Sequence, residues 1–471
     1  MNLFSNLEKF SSNICVIDDE LNEYNYKDLL LEVKKLSKFL KKRSVVFLIC
    51  KNNYEFIISY VSLIRSKAVF FLINNEIIEK NFLSLINIYK PDFIISPNDK
   101  EINKKSFKNI YKIKKKYNLF KSNVEKKSKT HKELALLLST SGSTGTPKFV
   151  KLSYLNLYDN AKKIAKYLNI KPIDRPITTM EPSYSYAMSI LNSHLISGAS
   201  IIVTEKSLFE KKFWELFKKK KATTFGGVPF IYSILKKLKF DQFKLPSLKY
   251  ITQAGGSLSI SLINDFIKIC RNKKIKLFIM YGQTEASPRM SFLDWKYINK
   301  KSGSIGKPLK DGFFFLYDKN NQIVDDNDKE GELVYKGRNV MLGYAESLDD
   351  LKKRDDNKSM LFTGDLAKKD KDGFYYITGR KSRFIKIFGT RVSLNEVENE
   401  INLSGLECAC VGDDDHLIIY ITGSYSGEKL IQYIKKSFKI NKSNLSIFKI
   451  SKIPRNDNGK ILYSNLKNYR R

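Results

Sequence analysis

Residues that bind metals or form covalent cross-links are scarce in this sequence, which has five cysteines and three histidines among 471 residues. An odd number of cysteines, mostly inside apolar runs, is typical of reduced thiols in a cytosolic protein rather than of a disulfide framework. Cys408 and Cys410 alone cannot form a zinc site, and no second cysteine pair accompanies them. We therefore expect neither structural zinc nor histidine-rich metal catalysis. The complete set is Cys15, Cys50, Cys270, Cys408, Cys410, His131, His194 and His416.

The sequence also lacks a recognisable signal peptide and a membrane-spanning run. Its N-terminus has no basic start followed by an apolar core and a small-residue cleavage site. The most apolar stretch, residues 56–73, is interrupted by Arg65 and Lys67, which makes it a poor membrane span. We expect a cytoplasmic protein without a membrane span.

Acidic residues are outnumbered, since 84 Lys and Arg against 49 Asp and Glu give a formal net charge of +35. Such a charge attracts polyanions, and a basic nucleic-acid-binding protein is therefore one hypothesis. Lysine, isoleucine and asparagine are frequent throughout, however, as coding in a low-GC genome produces, so the charge alone defines no function. Lysines crowd residues 104–132, which we interpret as a solvated loop, with a polyanion-binding patch as the alternative.

Short apolar runs alternate with amphipathic stretches through the first two-thirds of the chain. Residues 43–50 and 68–73 predict buried strands, separated by a helix over 53–67. This alternation predicts an α/β fold of layered sheets, with ligands at strand ends followed by glycine-rich turns. After Glu330 the pattern changes to short strands and turns. We predict a large N-terminal domain over 1–381 and a small α+β domain over 382–471.

The strongest chemical signal is the loop STSGSTGTPK at 139–148, directly after a predicted buried strand at 134–138. Glycines permit close backbone approach, hydroxyls and amides donate hydrogen bonds, and Lys148 adds charge, so the loop can bind a polyphosphate. It is not a Walker A motif, because Lys148 lies between Pro147 and Phe149. The candidate phosphate-binding residues are Thr140, Ser141, Gly142, Ser143, Thr144, Gly145, Thr146 and Lys148.

This loop resembles the phosphate-binding motif of the adenylate-forming superfamily, which contains acyl-CoA synthetases, amino-acid adenylation domains and firefly luciferase. Further segments resemble that family's motifs in the family's order: QAGGSLS at 253–259, YGQTEAS at 281–287, FTGDLAKKDKDGFYYITGR at 362–380 and PRNDNGKI at 454–461. The resemblance covers nearly the whole chain. It implies an AMP-binding ligase most like an acyl-CoA synthetase, with a mobile C-terminal domain.

The resemblance assigns the YGQTEAS segment to ATP and its metal. Tyr281 is implied to stack on adenine, with Gly282 beside it in the nucleotide site. Thr284 is implied to contact the α-phosphate and Glu285 to hold magnesium. An aromatic face next to a carboxylate suits a base and a metal–phosphate complex.

Four further residues are implied to contact adenosine. Asp365 accepts hydrogen bonds from the ribose hydroxyls, for which a carboxylate is suited because it accepts two bonds at once. Arg380 adds a charged donor from the other side. Gly255 and Gly256 border the adenine, where a side chain would block the base.

The C-terminal motifs imply the catalytic lysine and the hinge. Lys460 is implied to stabilise charge as a carboxylate oxygen attacks the α-phosphorus of ATP. Ser382 occupies the hinge, where relatives usually have Asp or Lys. Rotation about this hinge brings Lys386 and Gly389 towards the site as a thiol enters. The predicted catalytic residues are therefore Lys460, Thr284 and Lys386.

Segments 181–195 and 224–235 correspond to the family's acyl pocket, with Tyr184, Tyr186, Phe225, Gly226, Gly227 and Val228 as candidates. Which of the two tyrosines faces the pocket stays open. Amino-acid-activating relatives commonly carry an Asp here to bind the α-amine, and none lies between Glu181 and His194. This favours a simple carboxylic acid, although Glu181 could take that role.

The predicted reaction is ATP- and Mg²⁺-dependent activation of a small carboxylic acid to acyl-AMP and pyrophosphate. Transfer to a pantetheine thiol follows, on coenzyme A or on an acidic acyl carrier protein. The alternatives are transfer to an amine or hydroxyl acceptor, and activation of an amino acid. A nucleic-acid-binding protein is a distant alternative because it leaves the ordered nucleotide motifs unexplained, and we expect no nucleic-acid partner.

Overall fold

The structure is a computed structural model that describes residues 3–124, 129–139, 148–354, 357–381, 383–387, 390–413, 415–438, 440–456 and 459–469. Its α-helices are α1 Tyr26–Ser37, α2 Tyr54–Arg65, α3 Glu79–Tyr89, α4 Tyr154–Tyr167, α5 Ser185–Leu195, α6 Lys211–Lys219, α7 Pro229–Lys237, α8 Ile260–Lys273, α9 Leu394–Leu403 and α10 Gly427–Phe438. The strands of the first part are β1 Ile14–Ile17, β2 Glu23–Asn25, β3 Val45–Ile49, β4 Val69–Ile73, β5 Phe93–Pro97, β6 Phe107–Ile113, β7 Tyr117–Ser122, β8 Leu134–Ser139, β9 Phe149–Ser153, β10 Ile201–Ile202, β11 Thr224–Gly227 and β12 Tyr250–Gln253. They are followed by β13 Lys276–Gly282, β14 Arg289–Leu293, β15 Lys307–Pro308, β16 Phe313–Tyr317, β17 Gly331–Lys336, β18 Tyr344–Ala345, β19 Met360–Lys369, β20 Tyr375–Arg380, β21 Phe384–Ile387, β22 Thr390–Ser393, β23 Cys408–Asp413, β24 His416–Ile421 and β25 Leu445–Lys449. The predicted α/β fold class is confirmed.

An eight-stranded sheet, in the order β18-β9-β8-β4-β3-β5-β7-β6, contains most of the strands before residue 154. Its centre is parallel, with β3 between β4 and β5 and β8 next to β4. The runs VVFLI, VFFLI and LALLL are buried because apolar residues of helices pack on both faces. Strands β8 and β9 are antiparallel, with Ser139 opposite Phe149, so the ends of the predicted phosphate loop lie side by side.

A five-stranded sheet, in the order β11-β12-β13-β14-β15, carries many candidate site residues. Strands β11, β12 and β13 run parallel, and β14 returns antiparallel with Gly282 opposite Arg289. A Cβ on Gly282 would lie 1.8 Å from the carbonyl oxygen of Pro288, so only glycine permits this approach. After β12 the chain turns at Gly255, and Ser259 then caps α8.

The strands after residue 312, apart from β18, form three further sheets. The antiparallel sheet β16-β17-β19-β20 places Asp365 directly opposite Arg380. After residue 383, the hairpin β21-β22 and the sheet β23-β24-β25 pack with α9 and α10 around a separate apolar cluster. The boundary between residues 381 and 382 stays a prediction.

The interpretation of residues 104–132 as a loop is wrong. Strands β6 and β7 form an antiparallel hairpin that extends the eight-stranded sheet. Phe107 and Tyr117 are buried and hold the hairpin on the core, whereas Lys108 and Lys112 are exposed. Apolar residues at strand spacing therefore outweigh the lysines between them.

Within the part of the chain that the structure describes, no helix has the length and apolar character needed to cross a membrane. All five cysteines are buried with free thiols. Cys408 and Cys410 lie two residues apart on β23.

Candidate active site

The carboxylate of Asp365 is the centre of a hydrogen-bond cluster. Tyr281 Oη donates to its Oδ2 at 2.5 Å, and Gln283 Nε2 donates to the same oxygen at 3.1 Å. Arg380 Nε donates to Oδ1 at 2.7 Å across the β19–β20 pair. Burial and the Asp365 carboxylate raise the pKa of Tyr281 well above its ordinary value, so the phenol stays a donor. The structure thus joins residues of two distant motifs at one point.

Thr284 and Glu285 lie on a short 3-10 turn directly after β13. Thr284 Oγ1 lies 3.0 Å from Ser185 Oγ at the start of α5. Glu285 Oε1 accepts a hydrogen bond from Tyr344 Oη at 3.0 Å.

The residues around Glu285 fit a magnesium ion that arrives with ATP. The described residues form no group of three or more His, Cys, Asp or Glu that could hold a metal by itself. Mg²⁺ commonly binds one or two carboxylates and takes its remaining ligands from water and substrate phosphates. A single carboxylate oriented by a tyrosine hydroxyl is compatible with that pattern.

Lys148 connects the end of the phosphate loop to this site. Its Nζ lies 3.9 Å from the centroid of the Tyr344 ring and 3.7 Å from Glu346 Oε1. Since Tyr344 also binds Glu285, the loop ends beside the candidate magnesium ligand. The other predicted loop residues, 140–146, lie outside the described residues.

Gly255 and Gly256 form a turn against which side chains pack closely. A Cβ on Gly255 would lie 2.3 Å from Tyr184 Oη, and one on Gly256 would lie 3.0 Å from Pro229 Cγ. Gly255 also has a φ of +82°, which favours glycine. Contact of this turn with adenine stays a prediction.

Lys460 interacts electrostatically with Asp365, Arg380 and Glu285. Lys460 is exposed to solvent, although neighbouring residues partly desolvate its ammonium group. This desolvation and the nearby Arg380 lower the pKa of Lys460, against the opposing effect of Glu285 and Asp365. In this conformation the predicted catalytic lysine therefore lies near the nucleotide residues.

The loop that carries Lys460 rests on α7. Gly459 has a φ of +73°, and a Cβ there would lie 2.5 Å from Phe230 Cβ. The Arg455 guanidinium lies 5.9 Å from the centroid of the same phenylalanine ring and donates to the Gly459 carbonyl oxygen at 2.8 Å. Phe230 is thus the contact surface for this loop.

The predicted hinge and thiol-channel residues are described only in part. Ser382 and Gly389 lie outside the described residues, and Lys386 is described as a backbone position in β21. Their roles stay predictions.

The candidate acyl-pocket residues occupy two different environments. Tyr184 covers the Gly255 turn, and Val228 Cγ1 lies 3.1 Å from the Cβ that Gly255 lacks. Tyr186 is buried instead, and its Oη lies 2.7 Å from Thr252 Oγ1 and donates to the Thr252 carbonyl oxygen at 2.9 Å. Of the two tyrosines, Tyr186 therefore lines the internal cavity next to β11 and β12.

The residues of β11 divide between that cavity and the core. Phe225 and Gly226 border the cavity. The Phe225 ring also packs against Phe240, with centroids 6.0 Å apart. A Cβ on Gly227 would lie 2.9 Å from Ile231 Cγ2, so this glycine faces α7.

Sequence reasoning assigned no role to several residues that the structure brings to the site. Gln283 lies inside the quoted YGQTEAS motif, and its contact with Asp365 depends on a distant strand. Ser185 and Tyr344 had no motif to mark them. Arg289 had a usable signal, because it is a charged residue beginning a strand that is otherwise mostly buried and apolar.

The fold and this cluster define an adenylate-forming enzyme. The AMP-binding enzyme family matches residues 3–345, and the chain belongs to that family.

Several known proteins are similar to this chain. A 2-succinylbenzoate–CoA ligase of Bacillus velezensis is 27% identical over 349 residues, covering 72% of this chain and 69% of that protein. An oxalate–CoA ligase of Saccharomyces cerevisiae is 29% identical over 350 residues, covering 70% of this chain and 62% of that protein. The solved structure of O-succinylbenzoate coenzyme A synthetase from Bacillus subtilis, in complex with ATP and magnesium ion, has a TM-score of 0.79 at 22% identity, covering 98% of each chain. These likenesses confirm the predicted family and fold.

Proposed function

We propose that this enzyme uses ATP and Mg²⁺ to convert a small carboxylic acid to acyl-AMP and pyrophosphate, then passes the acyl group to the thiol of coenzyme A. The observation that carries this proposal is the convergence of Tyr281, Asp365, Arg380 and Lys460 on one site. The named relatives are CoA ligases, and one solved relative binds ATP and magnesium ion. They confirm the class predicted from the motifs, an AMP-forming acid–thiol ligase.

In the first half-reaction, Asp365 binds the ribose hydroxyls. Three donors already occupy its two oxygens, and a carboxylate has about four acceptor positions. A vicinal diol therefore displaces a donor, for which Gln283 is the candidate because its bond of 3.1 Å is the longest of the three.

The substrate carboxylate attacks the α-phosphorus while Lys460 and Thr284 stabilise the negative charge that develops there. The new bond joins a carboxylate oxygen to phosphorus, and pyrophosphate leaves with the bonding electrons. Glu285 would hold the magnesium ion of Mg-ATP, which would neutralise charge on the phosphates when bound. The lowered pKa of Lys460 reflects desolvation, which also strengthens its interaction with a phosphate.

The second half-reaction uses the proposed mobile domain, residues 382–471. Rotation about Ser382 withdraws Lys460 and brings Lys386 and Gly389 towards the acyl-AMP. A thiolate then attacks the acyl carbon and AMP leaves. The same mobile domain thus takes part in both half-reactions, in two different orientations.

Coenzyme A has alternatives as the acceptor of the acyl group. An acidic acyl carrier protein is the second candidate, because the net charge of +35 would speed its association electrostatically. Amine and hydroxyl acceptors are further alternatives. An amino-acid substrate is disfavoured because no Asp lies between Glu181 and His194 to bind an α-amine.

We also propose a cytoplasmic location, which the five free, buried thiols support.

Pyrophosphate–ATP exchange across a panel of carboxylic acids tests the proposal. We expect one class of acid to stimulate exchange and Lys460→Ala to abolish it, while thioester formation from supplied acyl-AMP persists. Lys452→Ala, at an exposed position of the same segment, is the matched control and should retain exchange. Absence of exchange with every acid, in a folded protein that binds ATP, would refute the proposal.

A further inference from the structure

A buried ionic network lies in the C-terminal part of the chain, outside the nucleotide cluster. The Arg383 guanidinium binds the Glu398 carboxylate through two hydrogen bonds, of 3.0 Å to Oε2 and 2.8 Å to Oε1. The two side chains are only 16% and 10% exposed. Arg383 also donates to the Cys410 carbonyl oxygen at 2.8 Å, and its guanidinium carbon lies 3.8 Å from the centroid of the Tyr463 ring. This one side chain therefore joins α9, β23 and the 3-10 helix that begins at Tyr463.

The Glu398 carboxylate has a full set of hydrogen-bond donors. Besides the two bonds from Arg383, it accepts from the Cys410 backbone N–H at 2.6 Å and from the Tyr463 hydroxyl at 3.1 Å. These donors fill the roughly four acceptor positions of a carboxylate. Burial and the Glu398 charge raise the pKa of Tyr463, which keeps the phenol protonated as a donor. Because removing one member of a buried ionic network leaves the others uncompensated, the network favours one fixed arrangement.

Tyr463 lies at the base of the loop that carries Lys460. The two arms of this loop pair with each other, since the Leu462 N–H donates to the Pro454 carbonyl oxygen at 2.9 Å. The Asn456 N–H donates to the Lys460 carbonyl oxygen at 2.9 Å, and the Lys460 N–H donates back to Asn456 Oδ1 at 2.9 Å. Tyr463 directly follows Leu462 in the sequence. The network thus anchors one arm of the loop that holds the predicted catalytic lysine.

At its other end the network reaches the predicted hinge. Arg383 directly follows Ser382 in the sequence. The Arg383 backbone N–H donates to the carbonyl oxygen of Arg380, a member of the nucleotide cluster, at 3.0 Å. The Arg383 side chain donates to the Tyr463 hydroxyl at 2.8 Å, across 80 positions of the chain. The network therefore connects the residue next to the hinge with the Lys460 loop.

We propose that Arg383, through Glu398 and Tyr463, is a positioning residue for Lys460. This inference rests on the proposed function, in which rotation about Ser382 places Lys460 at the α-phosphate. Such a rotation places the lysine accurately when the segment after the hinge and the Lys460 loop move as one body, and the network joins the two. Accuracy matters because a displacement of about 1 Å can lower a rate by about 100-fold.

The first test is Tyr463→Phe, which keeps the ring beside the Arg383 guanidinium but removes the hydroxyl from the network. We expect kcat of acid-dependent pyrophosphate–ATP exchange to fall by about fivefold or more, while KM for ATP and for the acid stays within about twofold. Thioester formation from supplied acyl-AMP and coenzyme A, which does not use the lysine, should keep its rate. Tyr433→Phe is the matched control, because Tyr433 is an exposed tyrosine that donates to Glu400, also on α9, at 2.7 Å.

Hydrogen–deuterium exchange separates positioning of the loop from general destabilisation. The backbone amides of residues 454–462 should exchange about tenfold faster in Tyr463→Phe, the effect of losing one hydrogen bond to a charged group. The amides of β24 and the whole of Tyr433→Phe should keep wild-type rates. Arg383→Lys keeps the positive charge but cannot form two parallel bonds with Glu398, and should give the same pattern as Tyr463→Phe.

An unchanged kcat, or unchanged deuterium uptake by residues 454–462, in Tyr463→Phe would overturn the inference. Equal slowing of both half-reactions would also overturn it, because the network would then serve the fold alone. If no acid supports pyrophosphate–ATP exchange in the wild type, the proposed function fails separately. Deuterium uptake then decides whether the network holds the loop: faster uptake in Tyr463→Phe supports this connection, and equal uptake contradicts it.

Discussion

At the scale of single residues, His194 links the buried cavity to the pH dependence of stability. Its ring is 2% exposed, and its Nδ1 lies 2.8 Å from the Ile190 carbonyl oxygen. Burial lowers its pKa to about 4, whereas an unfolded histidine has a pKa of about 6.5. The unfolded state therefore binds more protons between these values. Above about pH 6.5 the histidine is neutral in both states and the free energy of unfolding is unaffected. As the pH falls to about 4, protonation of the unfolded state lowers the free energy of unfolding by about 3 kcal/mol in total.

His194→Asn should flatten this dependence, because asparagine can still donate to the Ile190 carbonyl but does not titrate. We expect the loss of unfolding free energy between pH 7 and pH 4.5 to be smaller in this variant by about 2 kcal/mol. Urea unfolding at both pH values measures it. His416→Asn, which alters a half-buried histidine in β24, is the control. Equal pH dependence in His194→Asn and the wild type would contradict the burial argument.

Asp365 is the residue on which we expect nucleotide binding to depend most. Asp365→Asn keeps the shape of the side chain but removes the charge that pairs with Arg380. Since charge-assisted hydrogen bonds contribute about 1.5–3 kcal/mol, ATP affinity should fall by about 10- to 100-fold. Titration calorimetry measures this loss. The control is Asp265→Asn on α8, which removes the ion-pair partner of Lys236 on α7 and should leave the affinity for ATP unchanged. Wild-type affinity in Asp365→Asn would exclude a ribose-binding role.

Among the residues that surround Asp365, only those inside recognisable motifs could be predicted from the sequence. Tyr281, Asp365 and Arg380 lie in recognisable segments, and the structure brings them together. Gln283 could not be assigned in the same way. Its contact with Asp365 depends on the approach of β19 to β13, which is a long-range feature that no local pattern contains.

At the scale of elements, the β13–β14 pair positions both the nucleotide motif and Arg289. Gly282→Ala should separate these strands, because its Cβ would lie 1.8 Å from a backbone oxygen that cannot rotate away. We expect a loss of unfolding free energy of about 3 kcal/mol, at the upper end for overpacking. Chemical denaturation measures it. Gly427→Ala has no atom within 4 Å of the added methyl group and is the control. Equal stability of the two variants would contradict the predicted clash.

Strands could be predicted from the sequence where a run of residues is uniformly apolar. The uniformly apolar runs of β3 and β4 could be assigned as strands because both faces of the sheet are covered. The β6–β7 hairpin was missed because one of its faces is rich in exposed lysine, which resembles a solvated loop in composition. Position within a strand, rather than charge content, separates the two cases.

At the scale of the whole molecule, the contact between the C-terminal loop and α7 defines one of the two proposed working states. Phe230 is 41% exposed, and its ring and Cβ face Arg455 and Gly459. If this contact holds Lys460 over the site, removing the ring should weaken the adenylation state alone. The thioester-forming state, in which this loop has moved away, does not need it.

Phe230→Ala should therefore slow acid-dependent pyrophosphate–ATP exchange by about tenfold, the effect of losing about 1.4 kcal/mol of loop packing. Thioester formation from supplied acyl-AMP and coenzyme A should keep the wild-type rate. Phe209→Ala removes another exposed phenylalanine, 63% exposed, and is the control for general destabilisation. Equal slowing of both half-reactions by Phe230→Ala would mean that the Phe230 contact serves the whole fold. It would then not belong to one orientation of the C-terminal domain.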